Sequence, residues 1–280
     1  MHRTHRSRLA LVGTTALALV LGIGLVAACS SGSKGASGSA GQKGITDGEL
    51  VGLFRLTPGA VSGGTITGTW FRMVQPGGTT KSGPFMTNGN SPADGGKATL
   101  LSPGTSGGLR TAGYQSEPSP GFDGGGNSVA DAITQPTAFF GVRFSISTNQ
   151  TDPQTKTEVP PPTVVLKDGK LTADLSSWAA SWNRQEFNQG APKPVASTGA
   201  KAPGQESVEK VWDWVAQRYL AAAPKSTVTG DGATGTFDPT TRRFVLEWTS
   251  HIVGGPFNDF TGLWHLEGVF EPSGRAPGQP

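Results

Sequence analysis

Four polar residues could do chemistry if two strands pair. In a strand read over residues 243–248, Glu247 is out of phase with Leu246 and Trp248 and shares the polar face with Arg243. In the next long strand, residues 262–270, His265 and Glu267 are polar-facing while Trp264, Leu266 and Phe270 point inward. Pairing these strands would gather Arg243, Glu247, His265 and Glu267. Carboxyls about 5–9 Å apart can hydrolyse a glycosidic bond. The same residues also suit cross-strand ion pairs on a solvated sheet face. Ion pairing is the expectation, and Glu247 with Glu267 is the catalytic alternative.

Other catalytic patterns are weaker. Ser250 and His251 are adjacent, so along a strand their side chains point to opposite faces. No Gly-x-Ser-x-Gly elbow joins a strand to a helix. Beyond residue 28 the chain has only His251 and His265, with no His-Glu-x-x-His, so no zinc site is expected. Asp123, Asn127 and Asp131, and again Asn149 and Asp152, offer oxygen ligands on loops. Their spacing is not that of an EF-hand. Asp and Asn in loops usually make local side-chain turns, and calcium stays an alternative there. Gly124–Gly126 precedes no Lys-Ser/Thr pair and so does not resemble a phosphate loop. No metal or cofactor is assigned.

Two aromatic segments suggest binding. Residues 175–190 place Trp178 and Trp182 beside Asn183 and other amides, and residues 253–260 hold Phe257, Asn258 and Phe260 in a Gly-rich loop. Exposed aromatic faces flanked by amides would suit a sugar ring. The competing reading is that the Trp residues pack in the core while the amides satisfy loop backbone.

The N-terminus supplies an address. Arg3, Arg6 and Arg8 precede an uncharged run from residue 9 to 28, the pattern of an export signal. That run ends in Leu25-Val26-Ala27-Ala28-Cys29. This resembles the lipobox of bacterial lipoproteins, and the resemblance implies cleavage before Cys29 and acylation of that residue. Cys29 is the only cysteine, and a Ser/Gly-rich stretch of tether composition follows it. An uncleaved membrane-spanning helix is the alternative. Both readings put the domain outside the cytoplasmic membrane. The chain has 23 Lys and Arg against 20 Asp and Glu. Three of those arginines are in the leader, so the remainder is neutral, and a nucleic-acid partner is not expected.

The elements that must position these residues are mostly strands. With 42 Gly and 21 Pro, the chain is not a helical bundle. Alternation predicts strands over residues 65–74 (Ile66, Trp70 and Val74 on one face) and 139–148 (Phe140, Val142, Phe144 and Ile146 on one face). Hairpins are expected over 163–175, turning at Asp168-Gly169, and over 234–248, turning at 239–241. Short strands are expected near 98–101 and 109–114. Residues 206–222 have apolar positions at helical spacing and neither Gly nor Pro, which predicts one packed amphipathic α-helix.

The expected architecture is a mainly β, antiparallel sandwich or barrel with that helix. Residues 1–28 form the signal, 29–44 the lipidated tether, 45–272 one domain and 273–280 a tail. The function expected is that of a membrane-anchored, non-enzymatic binding module at the cell envelope. Its partners are the membrane through Cys29 and a glycan or an envelope protein. The alternatives are a glycan hydrolase and a structural partner of another envelope protein.

Overall fold

A computed structural model describes residues 45–194, 211–213, 218–220 and 232–273. Antiparallel strands dominate, and the sheets curl into a half-barrel. The larger sheet runs in the order β1 (Gly48–Glu49), β11 (Thr163–Lys167), β12 (Lys170–Asp174), β17 (Ala233–Phe237), β18 (Arg243–His251), β19 (Thr261–Pro272), β2 (Gly52–Leu56) and β8 (Gly108–Arg110). β5 (Trp70–Thr79) also pairs with β19, and carries β6 (Gly83–Phe85) and β7 (Thr99–Leu100). The smaller sheet has the order β14 (Gln185–Asn188), β13 (Trp178–Trp182), β10 (Val142–Thr148) and β9 (Thr137–Phe139). Two further hairpins are β3 (Ala60–Ser62) with β4 (Thr65–Thr67), and β15 (Val211–Asp213) with β16 (Arg218–Leu220).

Both expected hairpins form. β11 turns into β12 through Asp168 and Gly169 at φ +51° and +73°, the positive-φ pair that a two-residue hairpin turn requires. β17 turns into β18, and Asp238 organises the turn by accepting from Thr240 N and from the Thr241 hydroxyl. β19 is the spine. One edge pairs with β18 along nine positions, while the other is divided between β5 (residues 261–265) and β2 (residues 268–272). Gly268 permits that second contact, since a Cβ there would stand 1.8 Å from Arg55 O.

The core lies between the sheets. Trp178 on β13 meets Trp248 on β18 edge-on at 5.1 Å, and Trp264 on β19 at 5.6 Å. All three indoles are buried. Burial of this kind is the main stabilising term, because no disulfide is available to a chain with one cysteine.

Three expectations need correction. The helix over 206–222 is not found: Val211–Asp213 and Arg218–Leu220 pair as antiparallel strands, and the other positions of that span lie outside the described residues. Val211, Trp212 and Tyr219 are β-branched or aromatic, types that favour strands over helices. Among the described residues the helical elements are two 3-10 turns, Ala93–Gly96 and Gly255–Phe257.

The strand expected over 139–148 breaks at Phe140-Gly141, where φ is +51° and +78°, and becomes the β9–β10 hairpin. Phe140 is consequently exposed rather than inward. The strand expected over 65–74 breaks at Gly68, φ +72°, where a Cβ would stand 2.2 Å from Pro58 O. The break resets the phase, so Phe71 and Met73 are buried and Trp70 is only partly so.

The domain has two distinguishable ends. At one, Asp168 N donates to the Asp47 carboxylate, next to the start of the described chain. At the other, His251 and Thr261 close the β18–β19 ladder below the loop of residues 252–260. The nine residues of β18 separate the two ends by about 25–30 Å at strand rise.

Candidate functional site: a cleft with an enclosed carboxyl pair

The four polar residues of β18 and β19 do meet. Glu247 stands opposite His265, with Oε1 2.8 Å from Nδ1, and this bond holds the Glu247 carboxyl below its ordinary range. Glu267 accepts from Arg243 Nη2 at 3.2 Å and from Gly68 N at 3.0 Å. The His265 ring stacks on Trp70 at 4.7 Å, and the Arg72 guanidinium lies 5.1 Å from the Trp70 ring. Each carboxylate is therefore engaged in a cross-strand or backbone bond on the outer sheet face. The arrangement is that of an ion-pair ladder.

The aromatic residues pack inward. Trp178 has no solvent exposure, Phe257 is buried, and Trp182 and Phe260 are partly buried against the core. Trp182 Nε1 donates to Phe139 O at 2.9 Å. Trp182 and Phe257 border an apolar cavity of about 50 Å³ together with Phe71, Phe139 and Trp264. Asn183 takes φ +50° in the β13–β14 turn, and Asn258 Oδ1 accepts from Gly254 N within its own loop. Of the six, Trp178 and Phe257 are buried, while Trp182 and Phe260 keep partial exposure.

The loop oxygens are committed locally. Asp123 accepts from Gly125 N, Asn127 N and Asn127 Nδ2, and its carboxyl is held low by Asn127. Buried Asp152 accepts from Gln154 N, Thr155 N, the Thr155 hydroxyl and Asn188 Nδ2. Among the described residues no three His, Cys, Asp or Glu side chains converge as metal ligands. Cys29 lies outside the described residues.

A polar cleft elsewhere in the domain was not anticipated. A cleft of about 490 Å³ is bordered by Glu117, Asn149, Asp152, Lys156, Arg184 and Glu186. Two strands of the smaller sheet position its floor. Ser181 on β13 is directly opposite Glu186 on β14, and the turn between those strands places Arg184 beside them. Arg184 Nη2 donates to Gly124 O. Glu117 comes from the strap of residues 116–121, which starts where Gln115 bridges Thr148. Glu117 N donates to Asn149 Oδ1 at 2.9 Å. Gly121 closes over the carboxyl, since a Cβ there would stand 2.5 Å from Glu117 Oε1.

Both Glu117 oxygens are enclosed and have no well-aligned donor. Their polar neighbours are the Glu186 carboxyl and the Ser181 hydroxyl. Burial pushes the Glu117 carboxyl up to about 8, the contact with Glu186 adds to that, and Ser181 opposes it. Glu117 is thus protonated at neutral pH and can donate to Glu186, because two adjoining carboxyls cannot both ionise cheaply. Sequence reasoning missed the pair because its members are 69 positions apart and Glu117 sits in a Pro/Gly-rich stretch without strand periodicity. No local pattern could have found it.

One wall of the cleft is fastened at the end of the domain away from Asp47: Gln154, in the loop containing Asp152 and Lys156, donates through Nε2 to Val253 O at 2.9 Å. Compared with known proteins, the chain matches no protein family, no curated protein and no solved structure.

Proposed function

We propose that this chain is an exported protein of the cell envelope, anchored through acylated Cys29, whose β domain is a non-enzymatic binding module. Its ligand site is the cleft of Glu117, Arg184 and Glu186, and its ligand class is an uncharged, hydroxyl-rich envelope glycan. The observation carrying this reading is the cleft itself. Its volume of about 490 Å³ lies within the usual range for ligand sites of roughly 300–1,000 Å³. An enclosed acid, a carboxylate, an amide and two cationic side chains converge there on one space. Glu186 and Asn149 can accept, and Arg184 and Lys156 donate. With Glu117 neutral, the two cations balance Glu186 and Asp152, which favours an uncharged partner.

Binding is favoured over glycan hydrolysis by spacing. A glycosidase holds its carboxyls about 5–9.5 Å apart to admit the sugar or water between them. Glu117 and Glu186 adjoin each other, and Glu247 and Glu267 are tied up on the sheet face.

Two measurements test the reading. Mass spectrometry of the membrane fraction should find a chain beginning at an acylated Cys29, and Cys29→Ala should release the protein from membranes; an unmodified thiol at position 29 defeats the anchor. Titration of the purified protein with neutral envelope oligosaccharides should give saturable binding that Arg184→Ala and Glu186→Gln each weaken by tenfold or more (about 1.4 kcal/mol). Absence of binding, or binding unchanged in both variants, defeats the cleft as a glycan site.

A further inference from the structure

The strap of residues 116–121 is held differently at its ends and at its middle. At one end Gln115 N donates to the Thr148 hydroxyl at 2.8 Å and Thr148 N to Gln115 O at 3.0 Å. At the other, Val129 N donates to Gly121 O at 3.0 Å, and Phe122 bridges Ser128. Between these anchors the strap backbone is tied by Glu117 N, which donates to Asn149 Oδ1. Pro118 and Pro120 have no N–H to contribute. What else seats the middle is the Glu117 carboxyl, enclosed between β13 and β14 against Glu186 and Ser181. A segment with few backbone bonds opens at low free-energy cost, so the state of one carboxyl pair can govern its hold.

We propose that this strap is a proton-operated latch over the cleft: a proton shared by Glu117 and Glu186 seats it on the smaller sheet, and loss of that proton loosens it and dissolves the cleft wall. The charged groups facing the pair are Glu186 on β14, Arg184 in the β13–β14 turn, and Lys156 and Asp152 on the loop after β10; Ser181 on β13 supplies a hydroxyl. The raised Glu117 carboxyl gives the pH window. The seated strap binds a proton that the lifted strap releases at any pH above the ordinary carboxylate range. Opening therefore becomes easier from that range up to about 8 and changes no further above it. That the cleft binds a ligand rests on the reading above; the latch does not, so the test uses no ligand.

The experiment is amide hydrogen exchange by NMR on the purified protein from pH 5.5 to 9.5, corrected for intrinsic base catalysis, with carboxyl ¹³C titration of Glu117. Protection of the Glu117 and Val129 amides should fall at least tenfold between pH 6 and 8, level off above about 8.5, and follow the Glu117 titration. In Glu117→Gln both amides should show flat protection, as Gln keeps the shape and a donor without ionising. Glu186→Gln should shrink the slope and move its plateau to lower pH without abolishing it, because burial of Glu117 remains the larger cause, and it serves should the first variant fold poorly. A slope unchanged in both variants would belong to other titrating groups and overturn the latch. So would a Glu117 carboxyl titrating below 6, or wild-type protection independent of pH. A latch that works in a protein binding no glycan would remove only the proposed ligand.

Discussion

Replacing the core tryptophans by phenylalanine one at a time should separate two terms that are usually confounded. Trp178, Trp248 and Trp264 meet in one cluster, and none is more than 4% exposed. Trp→Phe removes the same volume at each, so the cavity penalty is common, about 1–2 kcal/mol. The polar term differs. Trp248 Nε1 donates to Gln189 O at 2.9 Å and Trp264 Nε1 to Gln189 Oε1 at 3.3 Å, whereas Trp178 Nε1 has no partner. Trp248→Phe and Trp264→Phe each leave a buried acceptor of Gln189 without its donor, adding about 1–3 kcal/mol. Trp178→Phe instead removes an unpaired buried N–H and recovers a similar amount. Trp178→Phe should therefore lie within about 1 kcal/mol of wild type, and the other two should cost about 2–5 kcal/mol. Urea unfolding followed by far-UV circular dichroism measures this without relying on the indoles as probes. At a slope of about 2–3 kcal/mol/M the gap is roughly 1 M in midpoint. Equal losses at positions 178 and 248 would mean that the Trp178 N–H is satisfied, and the argument would fail. Because Trp178 is enclosed, its Phe variant should also leave any saccharide affinity unchanged.

Two further outcomes follow from the same geometry. Gly268→Ala would drive a Cβ to 1.8 Å from Arg55 O, so β2 must move off β19, costing at least about 2–3 kcal/mol in the same urea assay; a loss below 1 kcal/mol would show that the strands give way easily. Glu247→Gln should cost under about 1 kcal/mol at pH 7, as expected for a partly exposed pair. The Glu247 carboxyl sits lower in the folded chain than in the unfolded one, so its contribution is present above the ordinary carboxylate pKa and is lost as pH falls through the depressed value. Stability curves of variant and wild type should converge toward pH 3, and a difference that grows on acidification would contradict the ion-pair account.

The division between local and long-range information is visible residue by residue. Asp168-Gly169 declares its turn because two positive-φ positions need those residue types whatever surrounds them. The inward phase of Trp264, Leu266 and Phe270 follows from period-two alternation along a single strand, and all three are buried. Whether a run is continuous is a different matter. Phe140-Gly141 and Gly68 look like strand interior in sequence, and become breaks because the chain must there turn or pass close to other backbone. In residues 211–220 the apolar positions fit a helix or a hairpin, and strand pairing at Val211–Asp213 and Arg218–Leu220 settled the choice.

The candidate site lay furthest from local reach. The lipobox-like run ending at Cys29 is linear, so a reading of the sequence alone can find the resemblance. Trp178 and Trp182 are of types that serve core and ligand equally, and only the covering of one sheet by the other made Trp178 core and Trp182 its partly buried neighbour. The raised Glu117 carboxyl owes its shift to enclosure and to the approach of Glu186, and neither exists until the strap lies on β13 and β14. Composition, turns and strand phase were determined by neighbours along the chain; the carboxyl pair was decided by folding alone, because burial and Coulomb repulsion depend on distances in space.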